Sequence, residues 1–230
     1  MECFVTGGGW ILSSGWGNLS AYAPAPEPGA GSPHLPKGKE IFTQPLPRYG
    51  RFDFYTRLGL GAMGLALQDA GYELRSDKSE PPHPCGIVSQ SQSECIQTDK
   101  DYYVTTLEGD GAYSSPNLFS YTLPGIVQGE CAVHFGLGGP TLCLGCDGNP
   151  ETLGLQSISE ALRLIRAGKA EAMLAGWIEA PVEHAPHPQG PLGSAFIVLA
   201  QDGGGPSLQL KQTARCCCKT NLCIQSWIVC

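Results

Sequence analysis

The chain has 230 residues, a net charge of −7, 42% apolar residues and 15% charged residues. That length fits one large domain or two small ones, and the composition is that of a globular chain rather than a disordered one. The acidity, with no basic cluster in the sequence, excludes an electrostatic nucleic-acid footprint.

The opening segment MECFVTGGGW carries an acid at position 2 and no basic n-region. It does not read as a signal peptide, and the cytoplasm is the expected compartment. No run of about 18 uncharged apolar residues occurs, so no membrane span is expected.

Residues 2–6 are expected to form a short first strand, ended by Gly7-Gly8-Gly9. Neither a GxGxxG opening a helix nor a GKS or GKT follows, so no nucleotide cofactor is called for. Residues 21–47, rich in Pro, Gly and Ala, carry no period and predict an extended surface loop. The spacing of Leu58, Met63, Leu65, Ala66 and Ala70 predicts a helix over 54–71, with Gly71 ending it. A Pro-rich loop over 74–84 leads into a buried strand, CGIVSQ, at 85–90.

A helix is predicted over 93–106, then a loop through Asn117, then a helix over 123–135 ended near Gly136. Thr141–Gly145 is predicted as a strand, with Cys143 between Leu142 and Leu144 in a buried setting. Asn149-Pro150-Glu151 has the residues of a helix start: an N-cap, a proline that needs no N–H donor, and an acid at the positive end of the dipole. That helix is expected to run to Ala167, with Leu155, Ile158, Ala161, Leu162 and Ile165 on one face and Gly168 following. Strands are expected at 172–176 and 195–200, with 207–212 as a further extension. Alternating strands and helices argue a layered α/β fold with a mostly parallel sheet, in which the closely spaced last strands can pair antiparallel.

Of the 11 cysteines, Cys3, Cys85, Cys95, Cys131, Cys143 and Cys146 are scattered and read as buried thiols. The other five crowd 216–230, where three consecutive cysteines cannot converge on one ion and no histidine is near; no metal site is expected there.

Four motifs in order, RFDFYTRLGLGAMGLALQDAGY (51–72), TLPGIVQGECAVHFGLGGPT (122–141), RAGKAEAMLAGWIEA (166–180) and GSAFIVLA (193–200), resemble the N-terminal half of β-ketoacyl synthases. The resemblance implies a thiolase-like layered α/β/α fold, a single N-terminal half over 1–205, followed by a Cys-rich atypical tail over 206–230. It also implies a context of fatty-acid or polyketide chain extension on acyl carrier protein. Such synthases dimerise through their N-terminal half, so a full-length ketosynthase or a second copy of this chain is the implied partner. Half of a two-half fold also exposes an apolar face, so the chain is not expected to persist as a compact monomer.

The family's active Cys sits on the turn between strand and helix. Counting forward from Gly139-Pro140-Thr141 puts that position on Gly148; counting back from Gly168 and Gly176 puts it on Glu151. The turn therefore carries an insertion, and neither count reaches a cysteine. Cys146 is the nearest thiol; a helix N-terminus favours its thiolate, whereas Asp147 beside it opposes that form. Some relatives that pair with a synthase and help set product length carry Gln or Glu in place of the Cys, a pattern Glu151 fits; as a simple first-turn acid it would instead stabilise the helix by ~0.3–1 kcal/mol. The family's two catalytic histidines come from its other half. Among His34, His83, His134, His184 and His187, none stands in a comparable context, although 184 and 187 occupy a loop that could lie near the turn.

Three functions compete. One is a non-catalytic, synthase-like partner subunit. The second is an active acyltransferase or condensing enzyme using Cys146 or a partner's residues. The third is a truncated synthase remnant, which the stretch ARCCCKTNLCIQSWIVC favours.

Overall fold

A computed structural model of the chain describes residues 3–21, 31–75, 79–107, 109–146, 152–185 and 190–201. The tail at 206–230 and the strand expected at 207–212 lie outside them. Six described strands form one sheet in the order β2-β1-β6-β5-β3-β4. They are β1 (Cys3–Leu12), β2 (Gly15–Asn18), β3 (Cys85–Ser91), β4 (Thr141–Gly145), β5 (Ala172–Glu179) and β6 (Gly193–Gln201). The helices are α1 (Gly38–Ile41), α2 (Phe54–Asp69), α3 (Ile96–Thr106), α4 (Pro116–Phe119), α5 (Ile126–Phe135) and α6 (Leu155–Arg166).

The layered α/β class stands, but the sheet is mixed rather than mostly parallel. β3 pairs parallel with β4 and β5, whereas β1 with β2, β1 with β6 and β5 with β6 are antiparallel. The reason is the connections. β3, β4 and β5 are joined through helices that return the chain to the same end of the sheet, while a two-residue link reverses β2 beside β1 and β6 follows β5 with no helix of the described residues between them.

Two cores form, one on each face. The α2 face gathers Leu58, Met63, Leu67, Phe135, Ile87 and Leu174; the α6 face gathers Ile158, Ile165, Met173, Trp177, Val88 and Leu199. Helix α2 is buried on nearly every side, from Tyr55 to Leu67, which accounts for a sequence apolar all round rather than striped. Asp53 caps it by accepting from Thr56 N at 3.1 Å.

The first strand does not end at its glycines. β1 runs on to Leu12 through Gly7, Gly8 and Gly9, because α2 lies directly upon them. A Cβ on Gly7 would sit 2.5 Å from Ala70 N and 2.7 Å from Ala66 O. Here glycine serves close approach of a helix, not a turn. A bulge at Thr6 shifts the β1–β6 register, and the Asp69 carboxylate accepts from Gly8 N at 2.9 Å and Ser20 N at 3.1 Å.

Other boundaries also move. Residues 38–41, inside the expected 21–47 loop, form α1, and Ile41, Phe42 and Leu46 are buried against α2. Residues 116–119 are helical, capped by Ser115, and α5 starts at Ile126. β4 is not a buried strand: it is the sheet's edge, half-exposed along its length. Helix α6 starts at Leu155 with Gly154 (φ 85°) before it; Asn149-Pro150-Glu151 lie outside the described residues. No helix among the described residues is long and apolar enough to cross a membrane.

Candidate functional site

The parallel strands β3, β4 and β5 end together, and α6 begins above them. In α/β sheets, ligands sit at the carboxyl ends of parallel strands. The register places Leu144, Gln90, Trp177, Ala195 and Trp10 side by side in one row across β4, β3, β5, β6 and β1. This row faces α6, and Trp177 is buried within it.

Gln90 is fully buried inside an otherwise apolar strand, and its amide is used at both ends. Its Oε1 accepts from Gly154 N at 2.8 Å, and its Nε2 donates to Gln156 Oε1 at 3.1 Å. The N–H of Gly154, just before α6, is thus occupied by the protein itself. Gln90→Ala is expected to cost about 1–3 kcal/mol, because a buried N–H loses its partner; chemical denaturation measures this, and an unchanged midpoint would contradict it.

The two nearby thiols lie on opposite faces. Cys146 continues the ladder, its N donating to Ser91 O at 3.0 Å, and packs half-buried against the α6-side core. Cys143 faces the α2 side, with Ser89 Oγ at 3.7 Å and Glu94 Oε1 at 4.0 Å. Burial pushes the Cys143 thiol above its ordinary pKa, and the Glu94 carboxylate adds to this. Cys143 therefore stays protonated, which is unsuited to nucleophilic attack. Beneath it, the buried Gln128 amide accepts from Ser89 Oγ and donates to the carbonyls of Pro124 and Gly125 at 2.9 and 3.1 Å.

The described histidines each have other surroundings. His34 and His184 are exposed. His83 packs edge-on against Tyr72, with ring centroids 5.2 Å apart. His134 sits 3.3 Å from Glu130 on the same helix, and burial pulls its pKa down despite that carboxylate. Asp147, Gly148, Glu151 and His187 lie outside the described residues. Cys143 has Ser89 and Glu94, neither an imidazole, as its hydrogen-bonding neighbours among the described residues.

Gln90, Gln128, Ser89 and Glu179 escape a reading by nucleophile type. The signal for Ser89 and Gln90 was the run of polar residues in IVSQSQ, where a buried strand should be apolar.

Comparisons with known proteins agree with this fold. Residues 37–192 match the family described as Beta-ketoacyl synthase, N-terminal domain. The chain belongs to the β-ketoacyl synthase family through that domain. A putative polyketide β-ketoacyl synthase 1 of Streptomyces virginiae is 31% identical over 129 residues, covering 53% of this chain and 29% of that protein. The chain thus spans about three tenths of the length of this curated relative. Among solved structures, the ishigamide ketosynthase/chain length factor has a TM-score of 0.64 at 19% identity, covering 88% of this chain and 63% of that one. A type II polyketide acyl-carrier protein in complex with its ketosynthase has a TM-score of 0.63 at 21% identity, covering 87% and 62%. At these identities the structural likeness carries the fold.

Proposed function

We propose that the chain acts as a non-catalytic partner subunit in polyketide or fatty-acid chain extension, binding a ketosynthase or a second copy of itself. The observation that carries this is the buried clamp of Gln90 on Gly154 N and Gln156, which commits polar groups at the start of α6 to the protein itself. Covalent acyl transfer needs a nucleophile, a base and oxyanion donors together. Cys143, whose thiol burial pushes above its ordinary pKa, is poorly suited to the first of these roles.

The outer surface supports a partner. Tyr103, Val104 and Leu107 at the end of α3, with Tyr113, Phe119 and Leu123 around α4, are exposed apolar side chains. Among the described strands β4 lies at the sheet's edge, and such edges invite another strand. Solved neighbours that pair a ketosynthase with a chain length factor or a carrier protein point the same way.

An acyl carrier protein partner draws support from charge. Segment 37–57 carries Lys37, Lys39, Arg48, Arg51 and Arg57 against Glu40 and Asp53, a net of +3 in a chain of −7. Lys37, Lys39, Arg48 and Arg51 are exposed, and Tyr49 joins the ends of the segment, packing on Gly38 and donating its hydroxyl to Arg57 O at 3.1 Å. Such a patch steers an acidic partner. A cytoplasmic location fits this reading.

Incubation with radiolabelled acyl carrier protein or acyl-CoA tests it. No covalent adduct is expected, while an immobilised ketosynthase retains the chain. An adduct that disappears in Cys146→Ala would instead establish the acyltransferase reading.

A further inference from the structure

Glu179, at the carboxyl end of β5, is a buried acid that nothing above employs; it is 3% exposed. Its carboxylate accepts from Ser91 Oγ at 3.2 Å, from Gln92 N and from Ser93 N at 3.3 Å. All three donors belong to the junction between β3 and α3. The same Ser91 Oγ accepts from Glu94 N at 2.8 Å. Glu94 has φ 47°, left-handed backbone that costs a residue with a side chain roughly 1 kcal/mol. One carboxyl group and one hydroxyl thus hold a strained loop shut.

The segments beyond the loop are anchored through it. α3 is seated by Thr98 Oγ1 donating to Asp53 Oδ2 at 2.6 Å. It also fastens the chain after β5: Lys100 Nζ donates to Glu183 O at 2.8 Å, and Glu183 N donates to Gln97 Oε1 at 2.8 Å. The loop, α3 and residues 181–185 form one connected unit with Glu179 at its root.

We propose that Glu179 is a protonation-controlled latch, whose ionisation sets how readily the β3–α3 loop, and with it the seat of α3, opens. The groups that face it are acidic in kind. Tyr55 of α2 lies against it, and the same phenol faces Glu94 of the loop and Cys143 of β4. Burial raises the Glu179 pKa above the ordinary carboxylate value, although the loop's donors pull it down. The closed loop therefore binds the proton more tightly than the open one. Closure is strongest below the ordinary carboxylate pKa and weakens as pH rises through the closed-state value. The proton has an acceptor: the Ser91 hydroxyl can turn its lone pair to the carboxyl and still accept from Glu94 N. Opening at higher pH returns the charged carboxylate to water and relieves Glu94. None of this depends on what docks against α3.

Amide hydrogen exchange on the full chain between about pH 4 and 8, corrected for intrinsic rates, tests the latch. Protection at Gln92, Ser93 and Glu94 is expected to fall with rising pH, by about tenfold for each unit separating the closed and open pKa values. In Glu179→Gln that slope should vanish while core strands keep their protection. Should the variant not fold, carbon-13 titration of the glutamate carboxyls in the unmodified protein decides. One midpoint must coincide with the change in loop protection. A slope that survives in Glu179→Gln, or protection that is flat while the buried carboxyl titrates, overturns the proposal.

Discussion

Gly9→Ala is expected to yield no folded protein. A Cβ there would meet Ala66 N, the Leu65 Cβ at 2.5 Å and Ala62 O at 2.7 Å. Most of these are backbone atoms of α2, so no rotamer change relieves them. Helix α2 cannot retreat either, because Ile41, Phe42, Tyr49 and Leu46 close its other side. Overpacking a core costs typically ~1–3 kcal/mol and more where backbone must shift, against a total stability of about 5–15 kcal/mol. Gly129→Ala is the control. It lies within α5 with nothing inside 4 Å of an added Cβ. There alanine is expected to stabilise by about 0.5–1 kcal/mol, as in any open helical position. Circular dichroism melts of the two variants provide the check, and a cooperative, native-like melt for Gly9→Ala would refute the account of β1.

The second large effect concerns association. Tyr103 and Leu107, both 63% exposed, lie four residues apart at the end of α3. Tyr103→Asp with Leu107→Asp should weaken binding to a ketosynthase, or self-association, by about a hundredfold or more, since each buried anchor in an interface is worth about 2 kcal/mol. The fold itself should shift by less than about 0.5 kcal/mol, because neither side chain packs in the core. Sedimentation of the chain alone and mixed with partner gives the answer. Undiminished association in the double variant would remove this surface from the proposed function.

The folding patterns that local spacing controls were legible. Helix α2 ends where Gly71 breaks it, α5 ends at Gly136 in the left-handed region, and α6 ends at Gly168. β3, β5 and β6 were visible from their sequences, each shorter than observed: by Ser91 in β3, by Trp177–Glu179 in β5 and by Gly193, Ser194 and Gln201 in β6. The candidate site was less legible. Cys146 was visible as a thiol near an expected turn, but its sequence neighbourhood did not reveal that Gln90, over sixty residues away from Gly154, takes the Gly154 N–H. Nor did the sequence reveal that Tyr49 joins Gly38 to Arg57 across the bend between α1 and α2.

Periodicity and glycine placement, which act over a few residues, were enough to specify the longer elements of this chain, but not β2, α1 or α4. Tertiary contact decided the rest. It made Gly7-Gly8-Gly9 the floor of a helix instead of a turn, put β4 at an exposed edge, and buried Glu179 under a loop it must hold. Those outcomes depend on which segments meet across long stretches of chain, and that is set by packing around two cores, not by local preference.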